Sequence, residues 1–141
     1  MYRRLVLGWV CLGWTGQVNA SDIDESKLVA QLREGGWVLF LRHPQTNPDQ
    51  ADTDPLSLEN VRAQRMLTDE GRRQARAIGQ AWRDLRIPIS SVTASKFQRA
   101  VEAATLLGVG EVLTSTDVTE GGLVVSPNEN KRRAKVLGRI L

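Results

Sequence analysis

An Arg-His pair is the part of this sequence best suited to chemistry. His43 is the only histidine among the 141 residues, and Arg42 directly precedes it. A neutral imidazole can attack phosphorus when other groups hold and neutralise the phosphoryl oxygens. Arginine suits that task because its planar guanidinium binds phosphate through paired hydrogen bonds and keeps its charge. The pair therefore predicts a phosphoryl-binding site with His43 as the nucleophile.

Further polar side chains could complete such a site. Thr46 and Asn47 follow the pair and offer short hydrogen-bonding groups for a substrate. Arg99 stands at the start of a predicted helix, whose free N–H groups would also favour an anion. Arg62 and Arg65 lie in a long polar loop. They either recognise a second anionic group of the substrate or are solvated surface charges.

Two predicted strands lead into these residues. The continuous apolar run 37–41 is typical of a strand buried on both faces of a parallel sheet, and it stops at Arg42. Residues 91–95 form a second predicted strand, which precedes Arg99. Ligands of such sheets bind beyond the carboxyl ends of the strands. The sequence therefore predicts a binding site at this edge of the sheet.

Helices are predicted between and around the strands. Thr68 can cap a helix whose first turn carries Asp69 and Glu70, and Pro88 ends that element. Its expected buried stripe consists of Ala75, Ile78, Trp82 and Leu85. Ser26 is expected to cap an earlier, shorter helix, which Gly35 and Gly36 would end. The helix after residue 95 is expected to bury Ala100, Ala103, Ala104 and Leu107, and Gly108 and Gly110 are expected to break it.

The remaining elements complete an alternating pattern. Residues 111–115 predict a third strand, and Pro127 opens a last helix with Ala134, Leu137 and Leu141 on one side. Alternating strands and helices predict an α/β fold, a three-layer sandwich with a mainly parallel sheet flanked by helices. Because the chain stops on the apolar stripe of this helix, we expect one or more final strands to be missing.

The N-terminal segment predicts export. Residues 1–20 combine a basic start, an apolar run of about ten residues and a small-residue cleavage site, which is the pattern of a signal peptide and too short for a membrane span. Residues 21–141 would form the mature domain. Removing Arg3 and Arg4 from the 19 basic residues leaves 17 against 16 acidic ones, so no nucleic-acid binding and no stable membrane insertion are expected. Since the mature chain has no cysteine, a bacterial periplasmic or secreted location is expected.

Three motifs in order resemble the histidine phosphatase superfamily, which includes phosphoglycerate mutases and acid phosphatases. They read LFLRHPQT over 39–46, LTDEGRRQA over 67–75 and SKFQRAVEAA over 95–104. The resemblance covers about residues 36 to 107. It implies that His43 is transiently phosphorylated while Arg42 and Arg99 bind the phosphoryl group. It also implies a phosphorylated small molecule as the substrate and neither metal nor other cofactor.

The chain departs from the pattern of this family in several places. Pro44 has no backbone N–H to donate, and Ala103 replaces the usual threonine. The second histidine that the family uses is absent, which we interpret as C-terminal truncation of the domain. Glu120 is the best candidate for the general acid, and Asp117 is a weaker alternative. The alternative interpretation of Glu120 is a carboxylate in a turn, exposed to water and without a catalytic role.

Three functions remain open at this point. The first is an exported phosphomonoester hydrolase, whose activity is expected to be weak or absent without the second histidine. The second is a non-catalytic truncated remnant that binds phosphate or a partner. The third is an unrelated secreted α/β binding module. The sequence does not indicate an oligomeric state.

Overall fold

A parallel pair of strands joined through a helix forms the centre of this protein. The computed structural model describes residues 24–55, 57–119 and 126–140. The helices are α1 (Glu25–Arg33), α2 (Asp69–Asp84), α3 (Gln98–Leu107) and α4 (Pro127–Ile140), with a short 3-10 turn at Val61–Ala63. The strands are β1 (Val92–Ser95) and β2 (Val112–Ser115). The predicted signal peptide, residues 1–20, lies outside the described residues, as does Leu141.

The two strands confirm the α/β class. Val92 of β1 aligns with Val112 of β2, and the parallel pairing continues to Ser95 and Ser115. Helix α3 connects the strands and packs against both of them. Its buried apolar side chains are Ala103, Ala104 and Leu107, which with Ala94 of β1 and Phe97 form most of the core. Each strand begins one residue later than the sequence predicts.

Helix α2 begins where the sequence predicts. The Thr68 hydroxyl accepts a hydrogen bond from the Gly71 amide at 3.0 Å, and two acidic residues follow in the first turn. This arrangement satisfies a free N–H and places negative charge at the positive end of the helix dipole. Ala75 is completely buried, as expected, whereas Ile78, Trp82 and Leu85 are half-buried.

Helices α2 and α3 pack with their backbones in direct contact. Gly79 faces the carbonyl group of Leu107 so closely that no β-carbon could be accommodated there. Arg83 donates from Nη1 to the carbonyl oxygens of Leu107 at 2.6 Å and Gly108 at 3.0 Å. Gly108 has a φ of 61°, the left-handed conformation that commonly ends a helix. Arg83 of α2 therefore caps the C-terminus of α3.

The prediction of a buried strand over 37–41 is wrong. Within the described residues this segment pairs with no strand, and its side chains are exposed: Phe40 is 92% exposed and Val38 57%. An apolar run predicts burial, but a strand also needs neighbours that satisfy its backbone hydrogen bonds. In the described chain β1 pairs with β2 and not with this run. The side chain of Trp37 instead donates to the carbonyl oxygen of Gln31 at 2.8 Å.

Helix α1 begins two residues earlier than expected. Asp24, not Ser26, is its N-cap, because the Asp24 carboxylate accepts the Lys27 amide at 3.2 Å. No residue of α1 is buried. Gly35 and Gly36 follow it with φ values of 73° and 76°, so this helix ends at glycines as the sequence indicates.

Helix α4 is attached to the end of β2 mainly through arginines. Arg132 forms an ion pair with Asp117 at 2.7 Å, and Arg133 donates to the Thr119 carbonyl oxygen at 2.7 Å. Ala134, expected on a buried stripe, is exposed, and Leu137 is half-buried. Among the described residues, none of the helices has the length and apolar character that a membrane crossing requires.

Candidate functional site

His43 and its neighbours line an open depression. Its volume is about 380 Å³, and residues 42–46 form its walls. The His43 ring is half-buried, whereas Arg42 is exposed. Nδ1 of His43 lies 2.9 Å from the carbonyl oxygen of Pro44. When Nδ1 carries the proton and donates it to that carbonyl, Nε2 is left with a free lone pair.

The segment that carries His43 rests on the start of α2. The carbonyl oxygen of Gln45 accepts the Thr68 amide at 3.1 Å, and Thr46 forms an antiparallel bridge with Leu67. Gly71 approaches the Gln45 carbonyl so closely that a β-carbon would collide with it. Because these contacts involve the backbone on both sides, the position of the His43 segment depends on α2.

The polar loop between these contacts, residues 47–66, folds back on itself. The Asn47 amide donates to the Met66 carbonyl oxygen at 3.0 Å, and the Thr53 amide donates to that of Ala63 at 2.9 Å. The Asn47 side chain accepts the Asp49 amide at 3.1 Å. Asn47 therefore serves the loop itself in this structure and does not line the depression.

Arg99 is buried at the start of α3 against an acidic partner. It is 4% exposed, and its Nη1 lies 2.8 Å from Oδ1 of Asp52 in the loop. The guanidinium also stacks over the ring of Phe97 at 4.1 Å from the centroid. Asp52 could not be recognised from the sequence, because nothing in a loop rich in Asp and Asn distinguishes this carboxylate from its neighbours.

Asp52 connects Arg99 with Arg65. Its Oδ1 also accepts the backbone amide of Arg65 at 2.9 Å. Burial would raise the pKa of the Asp52 carboxyl, but hydrogen bonds from the Arg65 amide and the Arg99 guanidinium, with the charges of both arginines, lower it below its usual range. Nε of Arg65 is buried and has no hydrogen-bond partner among the described residues. Arg65 and Arg99 thus lie around one carboxylate.

Gln64 is the second residue that the sequence did not reveal. It is 1% exposed, and its side chain donates to the Leu58 carbonyl oxygen and accepts the Gln98 amide, both at 2.7 Å. Gln98 is the first residue of α3, so one of the N–H groups expected to face an anion is occupied by this side chain. Gln64 attaches the loop to the same helical turn that carries Arg99.

The predicted site residues therefore fall into two groups. Arg42, His43 and Thr46 share the depression, whereas Arg65 and Arg99 meet at Asp52. Within the described part of the chain no hydrogen bond or ion pair joins the two groups. That all of them contact one phosphoryl group stays a prediction.

The candidate acid Glu120 lies outside the described residues. The residue before it, Thr119, is held by hydrogen bonds. Thr119 is buried, its hydroxyl accepts the Lys96 amide at 3.0 Å, and it donates to the Ser115 carbonyl oxygen at 2.8 Å. These contacts lie at the carboxyl ends of both strands. The alternative acid, Asp117, is ion-paired with Arg132. The described residues contain no cluster of three potential metal ligands.

Comparisons with known proteins agree with the three sequence motifs. Residues 38–121 match the family model of the histidine phosphatase superfamily, branch 1. Five chains of solved structures also match; one, named as a phosphohistidine phosphatase SixA from Nakamurella multipartitia, is 25% identical with a TM-score of 0.45. The alignment covers 58% of this chain and 42% of that one, so the chain spans less than half of that protein. No curated protein matches the sequence.

Proposed function

This chain belongs to the histidine phosphatase superfamily, and we propose that it hydrolyses phosphomonoesters through a phosphohistidine intermediate on His43. The observation that carries the proposal is the His43 ring in its open depression, with Nδ1 directed at the Pro44 carbonyl oxygen. This orientation leaves Nε2 available for attack on phosphorus. Arg42 lines the same depression and supplies positive charge beside the nucleophile.

The reaction proceeds in two displacements. Nε2 of His43 forms a bond to phosphorus while the ester P–O bond breaks, and the leaving oxygen takes a proton from a carboxylic acid, for which Glu120 is our candidate. Water then attacks phosphorus, the P–N bond breaks, and the proton from water returns to the carboxylate. A general acid of this kind contributes about 10²–10⁴-fold to the rate. We assign Arg42 and Arg99 to the phosphoryl oxygens, and Thr46 and Arg65 to the substrate.

Hydrolysis of p-nitrophenyl phosphate tests the reaction directly. Because the chain has no second histidine, we expect weak turnover at most for the wild type and none for His43→Ala. Arg76→Ala is the matched control, because Arg76 is an exposed residue of α2 without an ion pair among the described residues. Equal rates for the wild type and His43→Ala would remove His43 from the mechanism.

Trapping the intermediate tests the mechanism independently of the turnover rate. Brief exposure to a labelled phosphoryl donor followed by denaturation is expected to leave an acid-labile, alkali-stable phosphoramidate. Because the chain contains a single histidine, phosphohistidine in the digest identifies His43 as its site. A wild type that binds phosphate but forms no phosphoenzyme would instead support a phosphate-binding protein without catalysis.

We also propose that the protein is exported and matures by cleavage after Ala20. The basic start and the short apolar run of residues 1–20 support this location. N-terminal sequencing of the protein recovered from a bacterial periplasmic fraction is expected to begin at Ser21. Recovery of the uncleaved chain from the cytoplasm would contradict the proposal.

A further inference from the structure

The buried guanidinium of Arg99 depends on the polar loop for its orientation. A buried charge is costly unless it is paired and hydrogen-bonded. The structure supplies one carboxylate for this purpose, Asp52, which lies 47 residues earlier in the chain and 2.8 Å from Nη1. The ring of Phe97 covers one face of the guanidinium. Arg99 is thus fixed by its own helix, by an aromatic ring and by the carboxylate from the loop.

The contact between Asp52 and Arg99 leaves part of the guanidinium available. It joins one carboxylate oxygen to one terminal nitrogen, whereas a guanidinium carries five N–H donors. Among the described residues, Nε and Nη2 of Arg99 make no hydrogen bond. A single contact of this kind orients the group without occupying the donors that bind phosphate in pairs.

The position of Asp52 is itself fixed by the loop. Its Oδ1 accepts the Arg65 amide, and the neighbouring Gln64 binds the amide of Gln98 at the start of α3. Two polar side chains of the loop, the buried Gln64 and the half-buried Asp52, therefore reach the first turn of the helix that carries Arg99.

We propose that Asp52 is a positioning residue, which holds the Arg99 guanidinium in the orientation that receives a phosphoryl group. The inference rests on the proposed function of Arg99 as a phosphate ligand. Asp52 acts through Arg99 and does not contact the substrate. Loop 47–66 consequently controls the phosphate site, because it carries the carboxylate that orients the arginine.

The orientation of Arg99 is measured first without any substrate. We expect Asp52→Ala to increase the rate at which phenylglyoxal modifies Arg99 at least threefold, because the guanidinium loses its partner. Asp52→Asn keeps an oxygen acceptor and is expected to retain the slow rate. Asp49→Asn, which removes a charge from the same loop, is the matched control. An unchanged rate in Asp52→Ala would overturn the positioning role.

Vanadate binding and steady-state kinetics then test the consequence. We expect Asp52→Ala to weaken vanadate binding and to lower kcat about tenfold or more, with Asp52→Asn within about threefold of the wild type. Equal or tighter vanadate binding by Asp52→Ala would show that Asp52 competes with phosphate and would overturn the proposal. If Asp52→Ala does not fold, Asp52→Glu provides the test, since it keeps the charge but displaces Arg99 and is expected to lower kcat.

If Arg99 is not a phosphate ligand, the experiments give a different result from the one expected if Asp52 does not position Arg99. A wild type that binds no vanadate, and whose Arg99 is not protected from phenylglyoxal by phosphate, contradicts Arg99 as a phosphate ligand. The modification rates of the Asp52 variants still report whether Asp52 orients the guanidinium. The two claims are therefore decided by separate measurements.

Discussion

Gly79 of α2 lies directly against the backbone carbonyl of Leu107 in α3, with no space for a β-carbon between them. Because the obstructing atoms belong to the backbone, a side chain at this position has to separate the two helices. This contact explains how α2 and α3 pack so closely at the carboxyl end of α3.

Gly79→Ala is expected to lower the free energy of unfolding by about 1–3 kcal/mol, the usual cost of overpacking a closely packed interface. Urea denaturation followed by circular dichroism measures this loss. Gly138→Ala is the matched control, because a β-carbon at Gly138 of α4 meets no atom within 4 Å. The control is expected to be neutral or up to about 1 kcal/mol more stable. Equal stabilities of the two variants would contradict the observed packing.

Gly71→Ala is expected to affect the His43 segment more than the stability of the helix. An added β-carbon collides with the Gln45 carbonyl and displaces the backbone that carries His43. Vanadate binding should weaken about tenfold or more. Ala77→Gly, at an exposed position of α2, is the control: it costs about 1 kcal/mol of helix stability and should leave binding unchanged. If both variants bind vanadate like the wild type, α2 does not position this segment.

Gln64→Leu is expected to destabilise the protein by about 2 kcal/mol or more, because it leaves the Gln98 amide and the Leu58 carbonyl without partners in a buried place. Gln64→Glu retains the acceptor but not the donor, so its stability should fall between those of the wild type and Gln64→Leu. Thermal and urea unfolding measure the differences. Gln31→Leu, at an exposed position of α1, should change stability by less than about 0.5 kcal/mol. Similar losses at the two glutamines would refute the role of Gln64.

The ion pair of Asp52 should make stability depend on pH in a defined direction. Its pKa is lower in the folded chain than the usual aspartate value of about 3.9. The resulting stabilisation is complete above that usual value and is lost as the pH falls through the folded pKa. Wild type should therefore exceed Asp52→Asn in stability at pH 7, and the difference should shrink below about pH 4. A constant difference, measured by urea denaturation from pH 7 to pH 3, would contradict this assignment.

Local signals in the sequence were sufficient to predict where several helices begin or end. A capping hydroxyl followed by two acids located the start of α2, and Gly108 marked the end of α3. These features act within one helical turn, so a single stretch of sequence carries the information. The motif order around Arg42, His43 and Arg99 likewise indicated the family that the match over 38–121 shows.

Relationships between distant residues could not be predicted in the same way. The apolar run 37–41 indicates burial, yet the number and position of its neighbours are properties of the folded chain. Asp52 and Gln64 acquire their roles from contacts 47 and 34 residues away in sequence. Their residue types are common in any polar loop, and only the fold distinguishes them from the others.

The hydrogen bond between the Thr53 amide and the Ala63 carbonyl closes off the tip of the polar loop, residues 54–62, from its anchored base. Because the closure entropy of a flexible loop grows slowly, a tip of twice the length would cost only about 0.6 kcal/mol more. Residues could thus be inserted or exchanged in the tip, away from the Leu58 carbonyl that Gln64 binds, while Asp52 stays in place.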